Sequence, residues 1–379
     1  MLTITLGHAA NDIYQSFLSP LLPLFIANFG LSKTQAGLLS LIKETPSILQ
    51  PAIGHLADRF NLRSVVILAP TVSAVVMSLL GLAPSYAALA LLLVMGSISS
   101  VAFHAVAPAI AGELAGAKNM GRGMGLWILG GQLGFVLGPL LIVSLVDRLG
   151  LKATPWLMVI GVLGSLLLLF RFRDIPNRPV QSAQSLPWRQ ALSQMRHMLL
   201  LLLGLIVARS VALSAVNSYL PTFLSERGTR FWLAGASLTV YQAAASGGVV
   251  IGGALSDRLG RRVVMVVSML LTPLLLLAFL RCNGVAQLLT LAAMGFVVAT
   301  FDPVAMAVVQ ENAGQNRALA SSVYLSLMFL IRSVATVAVG VMADWFGLYQ
   351  AFAASAVIFL LGTPLLFLLP AERAAVSAK

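Results

Sequence analysis

A chain of 379 residues with 59% hydrophobic and only 9% charged positions, and a mean hydropathy of +0.95, is not a soluble domain, since those carry roughly a quarter charged residues. Apolar windows of about 20 residues recur from end to end without strand-like alternation, so the spans are transmembrane helices and not barrel strands. The net charge of +12 could suggest nucleic acid, but the basic residues are spread among the loops of a membrane protein.

Twelve spans are predicted, at 3–28, 34–56, 64–83, 86–110, 122–146, 154–171, 198–222, 232–254, 263–280, 286–309, 318–343 and 349–369. Span 1 continues through Pro20 and Pro23 and lacks a basic leader, so it reads as a retained helix and not a signal peptide. It carries His8, Asp12, Gln15 and Ser19 at i, i+4, i+7 and i+11, with Asn11 alongside. That spacing makes one polar stripe, expected to face a wet interior cavity because a charge in hydrocarbon costs several kcal/mol. Span 2 contains Lys43 and Glu44, and the loop after it reads GHLADRFNLR, 54–63. Span 4 holds Phe103-His104, and its inner end holds Glu113. Span 5 places Gly130, Gly134 and Gly138 four residues apart, a flat face for close helix contact, followed by the helix-bending Pro139.

Residues 171–197 are polar, basic and proline-containing, and read as a linker whose second part, from about Pro187, is a short amphipathic helix on the membrane surface. They divide a first six-helix bundle, 1–170, from a second, 198–370, with a tail at 371–379. The second bundle carries Arg209 in span 7, GGALSDRLGRR at 252–262, Asp302 in span 10 and Arg332 in span 11.

With the N-terminus inside, fifteen of the 24 Lys and Arg fall in inner segments, six in outer loops and three within spans. This places both termini in the cytoplasm. Trp156, Trp232, Trp345, Tyr86, Tyr219 and Tyr349 then lie at outer span ends, as an interfacial belt would. The halves repeat one another. FHAVAPAIAGELAG at 103–116 aligns with FDPVAMAVVQENAG at 301–314, which makes His104 and Asp302 equivalent, and Glu113 and Glu311. Parallel repeats of this kind occur in transporters whose substrate site lies at the repeat interface. The matched loops supply a candidate cytoplasmic gate. Asp58 and Asp257 can accept from helix N-termini, and Arg59, Arg258 and Arg262 can reach Glu113 and Glu311.

Gly-x-x-x-Asp-Arg-x-Gly-Arg-Arg at 253–262 resembles the inner-loop signature of the major facilitator superfamily. The 54–63 copy keeps Gly54, Asp58, Arg59 and Arg63, with Asn61 where glycine is usual. The resemblance implies an all-α membrane protein of twelve helices in two pseudo-symmetric six-helix bundles that rock to transport a solute. The glycines of span 5 resemble a motif of drug–proton antiporters. Span 1 and Phe103-His104 are similar to the fosmidomycin-resistance group of bacterial exporters, although Ala105 stands where that group has proline.

The intramembrane charges then receive expected roles. Asp12, Glu44, His104 and Asp302 are candidates for proton coupling, since a poorly solvated carboxylate or an imidazole can load and release a proton. Arg209 and Arg332 offer a fork suited to an anionic substrate, with Asn11, Gln15 and Lys43 beside them; alternatively Arg209 neutralises Asp12. The expected partners are a small-molecule substrate, protons and the lipid bilayer of a bacterial inner membrane, with no cofactor, metal or nucleic acid, and the working unit is a monomer. Neither a metalloprotease nor a P-loop motif is present, so the chain is expected not to be an enzyme. Export by proton antiport is the leading expectation and uptake by proton symport the alternative.

Overall fold

The computed structural model describes residues 1–50, 52–53, 63–172, 188–312 and 317–368. Among these the secondary structure is helical throughout. Ten helical segments are long and apolar enough to cross a membrane. The first two crossings are each split. α1 (Leu2–Gln15) gives way at Ser16 to α2 (Leu18–Phe29), close to Pro20, which has no N–H to continue the ladder. α3 (Lys33–Glu44) tightens into a 3-10 turn over Thr45–Leu49 at Pro46, which has no N–H to continue the α-helical ladder. With these two the chain makes the twelve crossings read from its sequence.

α4 (Arg63–Ser78) is followed by α5 (Tyr86–Gly116) and α6 (Arg122–Leu149). Gly116, at φ 67, adopts the left-handed conformation that turns the chain between α5 and α6. α7 (Met158–Phe172) closes the first half. α8 (Trp188–Glu226) is one unbroken helix, so the residues expected to form a separate linker helix run directly into span 7. α9 (Phe231–Leu259), α10 (Arg261–Arg281), α11 (Gly284–Ala299), α12 (Phe301–Asn312), α13 (Arg317–Phe346) and α14 (Leu348–Leu361) follow.

The chain packs as two compact units that differ from the sequence halves. The first holds Met1–Ala183 with Val216–Ala243 and Thr336–Leu348. The second holds Gln184–Ala215, Ala244–Ala335 and Tyr349–Lys379. The first unit thus takes in the ends of α8, α9 and α13 nearest Glu226, Phe231 and Phe346. Tyr219, expected in the interfacial belt, is one reason. It is fully buried, and its hydroxyl donates to the Lys33 carbonyl at 2.8 Å, with the Thr336 carbonyl 3.2 Å away. A phenol with polar acceptors within reach gains more from them than from the membrane surface. Trp156, Trp345 and Tyr349 are exposed, as a belt requires.

Candidate functional site

α1 lays its polar stripe against α5 and α6, not against open space. Asp12 is only 2% exposed, His8 5%, and Asn11 and Gln15 are also buried. This corrects the expectation of a wet stripe: the polar side chains find partners on neighbouring helices of the first half. His8 Nε2 lies 3.2 Å from Asp12 Oδ2, and His104 Nε2 lies 3.5 Å from Asp12 Oδ1. The two imidazoles meet at 3.1 Å, Nε2 to Nε2. Among the described residues these are the three side chains of His, Cys, Asp or Glu type that converge on one point, their ligand atoms within 4.8 Å of each other.

A second set of contacts fixes the first. Asn11 Nδ2 donates to Asp12 Oδ1 at 3.0 Å and to Ser100 Oγ at 3.3 Å, while its Oδ1 accepts from Ser73 Oγ at 3.0 Å. Ser73 also reaches Ser99, which donates to the Ala69 carbonyl. Gln15 Nε2 lies 3.4 Å from the Gly96 carbonyl. The His8 ring stacks on Trp127, centroids 3.8 Å apart, with Phe103 beside it. Asn11 and Gln15, expected to touch substrate, are occupied within the bundle. Satisfied buried polar groups of this kind fix a unique arrangement.

The glycines of span 5 explain how α6 comes so close. A Cβ on Gly130 would strike the Thr5 carbonyl, and one on Gly138 would strike Ser16 and the Ile13 carbonyl. On Gly134 it would lie 2.7 Å from Asp12 Cβ, and on Gly131 2.7 Å from the His8 ring. The motif is therefore the bed of α1 at the level of Asp12. Gly131 falls outside the every-fourth-residue series and was not legible from it. Pro139 lies inside α6, one residue past Gly138.

The second unit holds a different pair. Arg209, 3% exposed, donates to Asp302 Oδ1 at 2.8 Å and to the Val298 carbonyl at 3.0 Å. Its guanidinium lies 3.7 Å over the centre of the Phe301 ring. Its partner is thus Asp302 and not Asp12, because Asp302 lies on a helix packed in the same unit. The buried Tyr324 hydroxyl and Arg209 Nε have no hydrogen-bond partner among the described residues. The Arg332 carbonyl accepts from Ser214 at 2.9 Å. Lys43 and Glu44 are neighbours in α3, with Nζ and Oε1 3.4 Å apart.

Of the gate residues, Asp58 and Arg59 lie outside the described residues. Asp257 and Glu311 are both held by Arg261, at 3.1 Å from Glu311. Arg258 and Arg262 were the expected bridges. Arg258 is exposed and Arg262 donates to the Phe367 carbonyl at 3.2 Å. Arg261 opens α10 and Asp257 lies in the last turn of α9, so the turn at Gly260, with φ 91°, brings these two together. Glu113 is exposed.

A helical membrane protein of twelve crossings, with ion pairs enclosed in its bundles and glycine-bedded helices, is the build of a solute transporter. The family model of the Major Facilitator Superfamily matches residues 4–258 and 232–379, and the chain belongs to that superfamily of transporters. It is 25% identical to the fosmidomycin resistance protein of Escherichia coli K12, across 96% of this chain and 91% of that protein. Its fold is similar to that of a bacterial homologue of the lysosomal transporter Spinster, with TM-score 0.82, 18% identity and coverage of 97% and 95%. It is also similar to that of a D-xylose–proton symporter, with TM-score 0.74, 16% identity and coverage of 97% and 96%.

Proposed function

We propose that this chain is a proton-coupled antiporter that exports a small polar or anionic compound by alternating access. It works as a monomer in the bacterial inner membrane, with both termini in the cytoplasm. The observation that carries the reading is the enclosed carboxylate of Asp12 between two imidazoles. A buried carboxylate is retained where a counter-charge can reach it, and imidazole is the side chain that gains or loses one near neutral pH. Asp12 and His104 carry the proton, and Glu44 and Asp302 are secondary candidates. Lys43, Arg209 and Arg332 are the candidates for substrate contact, with Asp302 holding Arg209 in place. Arg261, Asp257 and Glu311 belong to the cytoplasmic gate.

Export is supported by the likeness to the fosmidomycin resistance protein along nearly the whole chain and by the glycine-rich span 5. A tenfold proton gradient supplies about 1.4 kcal/mol per proton, enough for modest extrusion. The test is purified protein in liposomes loaded with a pH-sensitive dye, with an acidic lumen and fosmidomycin as the first of a panel of polar and anionic compounds. Antiport raises luminal pH when compound is added outside. With an imposed outward-acid gradient, luminal acidification on compound entry would replace export by uptake symport. Compound transport indifferent to the pH gradient would remove proton coupling.

A further inference from the structure

The hydrogen positions at the α1–α5 contact follow from the acceptors around it. His8 Nδ1 lies 2.8 Å from the Trp127 carbonyl, and His104 Nδ1 lies 2.8 Å from the Ser100 carbonyl. A carbonyl only accepts, so both rings carry hydrogen on Nδ1. Their other nitrogens then face each other at 3.1 Å. Were both rings neutral, that contact would set two lone pairs against each other beside a carboxylate. Were both rings charged, it would set two N–H groups head to head. A proton on Asp12 could donate to one ring but would leave the nitrogen–nitrogen contact empty. One proton on the line between the two Nε2 atoms joins both rings and leaves the cluster neutral, while Asp12 Oδ1 accepts from Asn11.

Among the described residues no other charged side chain meets the cluster. α1, α4 and α5 bring Asn11, Ser73, Ser99 and Ser100 to the cluster, all neutral. α6 brings the Trp127 carbonyl and the bare backbone of Gly131. His8 is clamped between Trp127 and that glycine, so its ring has no room to swing. His104 does: its side chain is 33% exposed, against 6% for His8 and 3% for Asp12.

We infer that His8 is the fixed member of a proton site that holds a single proton between His8 and His104, and that releasing the proton parts the two rings by moving His104 away. This rests on the proton-coupled reading above and adds to it a third residue, a capacity of one proton, and the side chain through which the proton leaves. In a transport cycle His104 would carry the proton to water and return without it, while His8 and Asp12 stay in place. His8 is a positioning residue in this account, since it presents the nitrogen against which His104 is charged.

The protein alone, without substrate, can decide. Nitrogen-15 histidine spectra of purified protein, compared with His8→Gln and His104→Gln to assign the signals, should show hydrogen on both Nδ1 atoms and one hydrogen shared across an N–H···N bond. On raising the pH that shared signal should vanish as a single one-proton event, with the His104 signal moving to a solvent-like position and His8 unchanged in tautomer. Hydrogen on Nε2 of either neutral ring, or two protons lost together, would overturn the inference. In liposomes His8→Gln places a permanent N–H donor that cannot titrate. It should keep downhill counterflow of a transported compound while losing the response to a pH gradient. Unaltered gradient-driven transport by His8→Gln would also overturn it. If the wild type itself ignores the pH gradient, the coupling reading fails, and the spectra still decide whether the proton is shared.

Discussion

Asp12→Asn keeps the size of the side chain and its bond from Asn11 but removes the charge that balances the imidazoles. Gradient-driven transport should fall to background while the protein stays folded in the membrane, measured by dye-loaded liposomes beside thermal unfolding in detergent; full drive in the variant would dismiss Asp12 as a carrier. Gly131→Ala tests the bed of α1. Its Cβ would lie 2.7 Å from the His8 ring and 3.0 Å from Asp12 Oδ2, and overpacking of this kind costs about 1–3 kcal/mol. Gly125→Ala in the same helix has nothing within 4 Å and should be neutral or slightly stabilising, because alanine is the better helix former. Equal stability of the two variants would show that α6 can yield. At this scale the sequence offered Asp12 and His104 as candidates, since a charge within an apolar run stands out. The contacts of His8 were hidden because its partners Trp127 and His104 lie 119 and 96 positions away.

At the scale of elements, spans were legible from apolar run length, whereas their breaks depended on single prolines. The start of α3 shows what the sequence could not tell. Ser32 and Gln35 form a capping box, which their spacing announces. The remaining amides are taken by a residue more than 300 positions away. Asp344 of α13 accepts from Lys33 N at 2.7 Å, Thr34 N at 2.8 Å and Thr34 Oγ1 at 2.6 Å. Lys33 itself pairs with Glu226 at 2.7 Å, and the Lys33 carbonyl takes the Tyr219 hydroxyl. One helix start therefore gathers α8 and α13 of the second sequence half around it, which is why their ends belong to the first compact unit. A carboxylate at a helix N-terminus satisfies free amides and the macrodipole together. Asp344→Ala should lower thermal stability by about 1–2 kcal/mol, and Asp344→Asn by less, because its amide oxygen still accepts. A loss no larger than that of Lys33→Ala, whose exposed ion pair is worth about 0–1 kcal/mol, would mean the cap contributes little.

Across the whole molecule, the repeat offset of 198 predicted that His104 and Asp302 hold equivalent places, and the structure gives each an oppositely charged partner on the first span of its own half. In the first half the acid, Asp12, is on the first span and the base, His104, on the fourth span. In the second half the base, Arg209, is on the first span and the acid, Asp302, on the fourth span. The supports match as well. Ser100 and Val298, also 198 apart, offer the carbonyls that take His104 and Arg209, and the equivalent Phe103 and Phe301 rings lie against His8 and Arg209. The repeat could be read from sequence, but the reversal of polarity could not, because it depends on which buried charges touch. Under the proposed function this divides the labour. Imidazole gains and loses its charge near neutral pH, whereas guanidinium stays charged throughout, so the base of the first pair can switch and the base of the second cannot. Asp302→Asn should therefore leave the response to a pH gradient intact while changing the affinity for substrate. It should also lower stability, since Arg209 keeps its charge at 3% exposure. That cost should be about 1–3 kcal/mol, below the 3–5 kcal/mol of a fully buried pair, because the Asp302 side chain is 47% exposed. Arg209→Lys retains the charge but loses the fork that reaches both Asp302 and the Val298 carbonyl, and adding it to Asp302→Asn should cost less than the two single losses summed. Loss of gradient response in Asp302→Asn, with substrate affinity unchanged, would place proton transfer in the second half and reverse the assignment.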